Sequence, residues 1–165
     1  MSERVTIDID HHVETVTLNR ADKKNAVDTA MFDALHQAAE RLGQDRKVRA
    51  VVLCGEGTDF CAGIDISVFA GDGIGASLGD LLAPQTESGA NYFQNAAMCW
   101  RDLPVPVIAA LQGSVFGAGL QIAMGADLRY AAADARLSIM EIKWGLIPDM
   151  ALTATLPPLL AEDKV

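Results

Sequence analysis

Two glycine turns, each following a run of apolar and β-branched residues, constrain this chain more than anything else in it. The first is Asp59-Phe60-Cys61-Ala62-Gly63-Ile64-Asp65, after residues 48–54. The second is Gln112-Gly113-Ser114-Val115-Phe116-Gly117-Ala118-Gly119-Leu120-Gln121, after residues 105–111. Both preceding runs read as buried strands, and the residues after each turn can open a helix. Such a turn aims unpaired backbone N–H groups at one point, where a helix dipole adds positive potential. Alone, each turn is as readily a packing device. Two that converge can hold a single oxygen as an oxyanion.

The 165 residues, half of them hydrophobic, suffice for one domain over 1–165 with a real core. A net charge of −9 argues against a nucleic-acid surface. Local cationic patches remain, at Arg20, Lys23 and Lys24 and again at Arg46, Lys47 and Arg49. Cys54, Cys61 and Cys99 have no metal-ligand spacing and leave an odd thiol, as expected of a reduced, intracellular protein. The N-terminus lacks an apolar signal segment and no apolar run is long enough to span a bilayer. The expectation is a cytoplasmic protein with neither a membrane nor a metal as partner.

Residues 5–9 and 13–18 alternate in the strand period around Asp10-His11-His12, which predicts a hairpin. Residues 19–26 read as a polar, basic loop. Asp28 is placed to cap a helix whose apolar residues Phe32, Leu35, Ala39 and Leu42 recur at helical spacing, with Gly43 as a stop. Five glycines between residues 70 and 89 suggest a mobile segment or lid. Helical pattern returns over 89–103 and again, in small apolar residues, over 120–126. Short strands are expected at 128–131 and 137–140. Strands alternating with helices predict an α/β arrangement. The last stretch, 152–165, begins an apolar helical pattern and stops, as if the sequence were cut from a longer chain.

Two carboxylates stand out downstream. Glu141 follows an apolar strand and precedes Ile142 and Trp144, surroundings that suit a proton-transfer group; a surface pairing with Arg136 or Lys143 is the plainer alternative. Asp149 after Pro148 is either a turn residue or a second acid. Asp127 is expected to pair with Arg129 or to sit at a helix end. No histidine has a nucleophile partner, and nothing activates Cys61. Gly117-Ala118-Gly119 invites a dinucleotide-binding interpretation, but Ile122 stands where the third glycine belongs.

Taken in order, several segments resemble the enoyl-CoA hydratase/isomerase (crotonase) superfamily. They are Leu18-Asn19-Arg20, Lys24-Asn25-Ala26, Phe60 to Asp65, Pro106 to Ala110, Gly113 to Gln121, Ala126-Asp127, and Glu141 with Gly145-Leu146-Ile147-Pro148. The resemblance implies a spiral of ββα repeats, followed by a C-terminal helical trimerisation region that this sequence lacks. It implies a homotrimer or hexamer for the full-length protein, and an acyl-CoA substrate, with coenzyme A entering as part of that substrate and no separate cofactor. The backbone N–H groups of Ile64 and Ala118 would form an oxyanion hole for the thioester carbonyl. Lys23, Lys24, Ala26, Ala62, Ile64 and Asp65 would meet the coenzyme A moiety, and Phe69 and Trp144 would line the acyl pocket.

The departures bear on the reaction. Glu141 matches one of the two glutamates that hold water in the hydratases, but Gln121 stands at the other, and an amide cannot exchange a proton. Asp149 stands where hydratases have glycine and resembles the aspartate of dienoyl-CoA isomerases. Glu141, Asp149 and Gln121 are therefore the expected catalytic set. The family points to hydration and the departures to double-bond isomerisation. A thioester hydrolase or decarboxylase of the same superfamily, or a non-catalytic acyl-CoA-binding protein, is the alternative.

Overall fold

A computed structural model describes residues 4–69 and 78–160, apart from the side chains of Phe69 and Leu78. Strands β1 (Val5–Asp10) and β2 (Val13–Leu18) form the expected hairpin, Val5 opposite Leu18. Its turn is His11 and His12, both left-handed with φ of 48° and 70°, a twist that suits a two-residue hairpin turn. Helix α1 (Thr29–Gln44) starts where Asp28 accepts the Met31 N–H at 2.9 Å, a cap worth about 1 kcal/mol. It runs one residue past Gly43, since a lone glycine costs a helix too little to stop it.

Strand β3 (Ala50–Gly55) pairs parallel to β2, and β4 (Val107–Leu111) parallel to β3. Between them lie α2 (Leu78–Leu82) and α3 (Tyr92–Arg101), the latter opened by a reciprocal capping box of Asn91 and Gln94. After β4 come β5 (Ser114–Phe116), α4 (Ala118–Met124), β6 (Leu128–Ala131), β7 (Arg136–Ser138) and a short α5 (Leu152–Thr155). The large sheet has the order β1-β2-β3-β4-β6; β5 and β7 form a second, parallel pair. The last two passes of the chain each add one strand to the large sheet and then one to the small: β4 leads to β5 and β6 to β7. The pass after β3 contributes the isolated bridge of Cys61 to Val115. This is the expected spiral of ββα units.

One face of the large sheet buries Val16, Leu18, Val51, Leu53, Val107 and Ala109. Against it pack Phe32 and Leu35 from α1 and Trp100 from α3, all essentially inaccessible. Period-2 strands and period-3.6 helices put those residues on facing surfaces.

Several expectations change. The first glycine turn leads into a single 3₁₀ turn, Ile66–Phe69, because Ile64 is held instead in a strand-like bridge with Val27. The dipole contribution expected there is therefore confined to the second turn. The strand expected over 137–140 ends at Ser138, and Met140–Trp144 is a 3₁₀ helix. Residues 19–26 contain a 3₁₀ turn, Ala21–Lys23. The Asp127 carboxylate accepts the Val107 N–H at 2.8 Å, capping β4, while the Arg129 guanidinium donates to the carbonyls of Ala123 and Ala126 at the end of α4. Of the segment over 70–89 expected as a mobile segment or lid, residues 70–77 lie outside the described residues, and the rest includes α2.

Candidate active site

The two glycine turns are laced into one unit. Phe60 N–H donates to Gln112 O at 2.8 Å, Cys61 N–H to Ser114 O at 3.0 Å, and Phe116 N–H to Cys61 O at 3.0 Å. Asp59 is buried beneath them and accepts the Ser114 N–H at 2.8 Å and the Thr58 hydroxyl at 2.9 Å. Asn25, with φ of 55°, donates to the carbonyls of Glu56 and Asp59 and accepts the Arg20 N–H. At Gly119 the packing admits no side chain: a Cβ would stand 2.5 Å from Cys61 O.

Hydrogen bonding to Ser114, aided by Thr58 and the nearby Lys24 charge, holds the Asp59 carboxyl at about 2 against the opposing cost of burial. Bonds from Ser67 and the Arg20 ion pair, at 2.8 Å, hold Asp65 at about 2 as well. Both values lie below the ordinary 3.8, so between them the unfolded chain binds protons that the folded chain does not. Stability from these two groups is complete above about pH 4 and is lost as the pH falls toward 2. Denaturation midpoints measured across that window should fall steeply, and Asp59→Asn should flatten the slope; an unchanged slope would show that Asp59 carries none of it.

The site itself opens where the turns meet. Among the described residues, no protein group accepts the N–H of Ile64 or of Ala118, and no N–H claims the carbonyl of Ala62 or Ile64. Both free donors border a cavity of about 340 Å³ lined also by Gly63, Gly117, Met140 and Trp144. Burial of a peptide N–H without an acceptor is costly, so two such groups on one cavity wall mark a place for an incoming oxygen.

Glu141 reaches the same spot through the small sheet. Strand β7 runs beside β5, and the Gly117 N–H donates to Ser138 O at 3.0 Å. The 3₁₀ turn that follows β7 lays the Glu141 carboxylate against Gly117. With φ of 50° and a would-be Cβ only 3.2 Å from Glu141 Oε1, position 117 tolerates only glycine. Glu141 Oε1 accepts the Gln121 amide N–H at 2.7 Å; Oε2 is buried with no partner among the described residues. Neither Arg136 nor Lys143 forms an ion pair with it among the described residues.

A second cavity, about 380 Å³, lies on the other side of Glu141. Its lining includes Phe32, Val68, Phe93, Gln121, Ile147 and Asp149, and it shares Ile64, Glu141 and Leu146 with the first. The carboxylate thus stands at the junction of two chambers, with Asp149 on the wall of the second. Sequence periodicity placed Phe32 and Phe93 in a helix-packing core; nothing local distinguishes a core aromatic from one that also lines a cavity. Leu146 and Ile147, apolar yet exposed beside Pro148, were the available signal for a lined pocket.

The remaining expected residues are dispersed around this centre. Trp144 is largely exposed and forms a wall of the first cavity, while Trp100 belongs to the core. The Phe69 side chain lies outside the described residues. Lys23 and Lys24 are exposed; Lys24 Nζ lies 3.6 Å from Asp59 and its carbonyl accepts the Ala62 N–H at 2.9 Å. The Ala26 carbonyl accepts from Arg20 at 2.9 Å. Burial pushes the Cys61 thiol up to about 12, so it is inert. Among the described residues no group of His, Cys, Asp or Glu side chains gathers to hold a metal ion, and no helix is long and apolar enough to cross a membrane.

Comparison with known proteins meets this geometry from another side. A family profile described as Enoyl-CoA hydratase/isomerase matches residues 8–165. A Mycobacterium tuberculosis protein named "Probable enoyl-CoA hydratase EchA14" is 37% identical over 144 residues, covering 87% of this chain and 53% of that protein. The mouse mitochondrial Delta(3,5)-Delta(2,4)-dienoyl-CoA isomerase is 31% identical over 156 residues, covering 93% and 48%. The crystal structure of an enoyl-CoA hydratase from Bacillus anthracis superposes with a TM-score of 0.84 at 27% identity, covering 98% of this chain and 60% of that one. The chain spans about half the length of the curated relatives it matches.

Proposed function

Because the chain belongs to the enoyl-CoA hydratase/isomerase family, a family of enzymes, we propose that it carries the proton-transfer centre of an enzyme that shifts a double bond in an acyl-CoA thioester. The observation that carries this reading is the placement of Glu141 Oε2, free and buried, beside two unclaimed N–H donors.

In the proposed reaction the thioester oxygen accepts from Ile64 and Ala118. Removing a proton from the acyl chain then drives negative charge onto that oxygen, where each aimed donor stabilises it by about 3 kcal/mol. Glu141 takes the proton at one carbon. In this reading Asp149, on the wall of the second cavity, delivers a proton to a carbon further along the chain, so the double bond moves and no atom is gained or lost. Gln121 supports this over hydration. Its amide cannot exchange a proton with an attacking water, and the buried side chain is already engaged at each end, with Glu141 and with the Met150 N–H.

Coenzyme A enters with the substrate. The free carbonyls of Ala62 and Ile64 suit its adenine amino group, and exposed Lys23 and Lys24 its phosphates, next to Ala26 and Asp65. Phe69 and Trp144 belong to the acyl-side wall in the same reading. The exposed apolar side chains of Leu128, Tyr130 and Ile142 support a homotrimer or hexamer for the full-length protein. The free thiols of Cys54, Cys61 and Cys99 support a cytoplasmic setting.

A second reading, hydration, is favoured by the name of the M. tuberculosis relative. Incubating the full-length protein with a 3,5-dienoyl-CoA and, separately, with crotonyl-CoA distinguishes the two by absorbance. The expected result is growth of the conjugated 2,4-dienoyl band with little loss of the crotonyl band. Fast hydration that survives Asp149→Asn and dies with Glu141→Gln would overturn the isomerase reading. No turnover of either ester would overturn both.

A further inference from the structure

We propose that Gln121 is a positioning residue that selects which oxygen of Glu141 reacts and ties that oxygen to the loop bearing Asp149. The inference rests on the proton-transfer reading above. Gln121 sits on α4 with its side chain buried. Its amide oxygen accepts the Met150 N–H at 2.8 Å, and its amide nitrogen donates to Glu141 Oε1 at 2.7 Å.

The direction of the amide follows from its partners. A backbone N–H only donates, so the amide oxygen must face Met150; the NH₂ group must then face Glu141. Oε1 is thereby committed to accepting. A proton arriving on the carboxylate is left with Oε2, the buried oxygen that has no partner. One side chain on α4 thus assigns the reactive oxygen. It also fastens the residue next to Asp149, so the two acids keep one spacing.

The amide has a further property that a carboxyl group lacks: it donates at every pH. A carboxyl group at position 121 would donate to Glu141 only while protonated. Once ionised it would set a second negative charge at hydrogen-bond distance, and the two groups would titrate as a coupled pair.

Two variants of the full-length protein test this. In Gln121→Met, which keeps the volume and removes both bonds, kcat should fall about tenfold or more with KM little changed, because one bond's loss is worth roughly a decade. The Met150 amide should also exchange its hydrogen about tenfold faster by mass-resolved exchange, as its acceptor is gone. In Gln121→Glu, the fall of kcat with rising pH should begin at a lower pH than in the native protein, because the new carboxyl stops donating once it ionises. A merely structural role would not move that limb.

The inference is overturned if Gln121→Met keeps native kcat, if its Met150 amide exchanges at the native rate, or if Gln121→Glu keeps the native pH profile. The exchange measurement needs no substrate. A native protein that turns over no acyl-CoA ester therefore sinks the proposed function while the Met150 result still decides the bracket.

Discussion

Glu141→Gln is expected to lower kcat about 10²–10⁴-fold, the usual loss on removing a general acid/base, with little change in fold or in affinity for the CoA ester. The substitution is close to isosteric. The new amide oxygen can take the place of Oε1 and keep the bond from Gln121, which is 2.7 Å long in the native protein. The proposed donors at Ile64 and Ala118 are untouched, so binding of the ester is expected to persist. What disappears is the group on the junction of the two cavities that can accept and return a proton. Steady-state rates with the dienoyl ester, together with the ester's dissociation constant, separate the outcomes. A variant that retains kcat within about threefold of native would show that another base does the work.

Gly119→Ala is the second large effect, and it acts on geometry instead of chemistry. A Cβ at this position would lie 2.5 Å from Cys61 O, 2.6 Å from Cys61 Cβ and 2.9 Å from Cys61 Sγ. Two of those atoms cannot swing away as the end of a flexible side chain can. Either α4 recedes from the first glycine turn or that turn does, and each carries one of the two proposed oxyanion donors. Misaligning one donor costs about 10²–10³-fold in kcat, and overpacking costs about 1–3 kcal/mol of stability. Denaturation and kinetics measured on the same preparation should show both. Gly79→Ala is the control, since among the described residues nothing lies within 4 Å of a Cβ there. Native kcat in Gly119→Ala would mean that the two turns need not touch for the oxyanion to be held.

Much of the fold around the candidate site was legible in the sequence. The Asp28 cap, the hairpin at His11 and His12, and the two strands before the glycine turns all follow from local rules. Capping, turn twist and strand alternation depend on neighbours a few residues away. Gly117 and Gly119 were recognisable as glycines in a turn, but their reasons were not. One makes room for Glu141 and the other for Cys61, each distant in sequence. The helix expected after Gly63 failed for a similar cause: the bridge of Ile64 to Val27 outweighed local tendency.

Sequence by itself determined that two glycine turns would follow buried strands, and it marked a glutamate, an aspartate and a glutamine as the candidates for the proposed proton transfer. It left Gln121 in the expected catalytic set as an amide that hydrogen-bonds but cannot exchange a proton. Tertiary structure alone made it a bracket, by bringing Glu141 and the Met150 N–H to the two ends of one amide. The physical reason is that an amide's role is set by the donors and acceptors facing it. Those partners lie 20 and 29 residues away along the chain, brought together by strand pairing that no local pattern encodes.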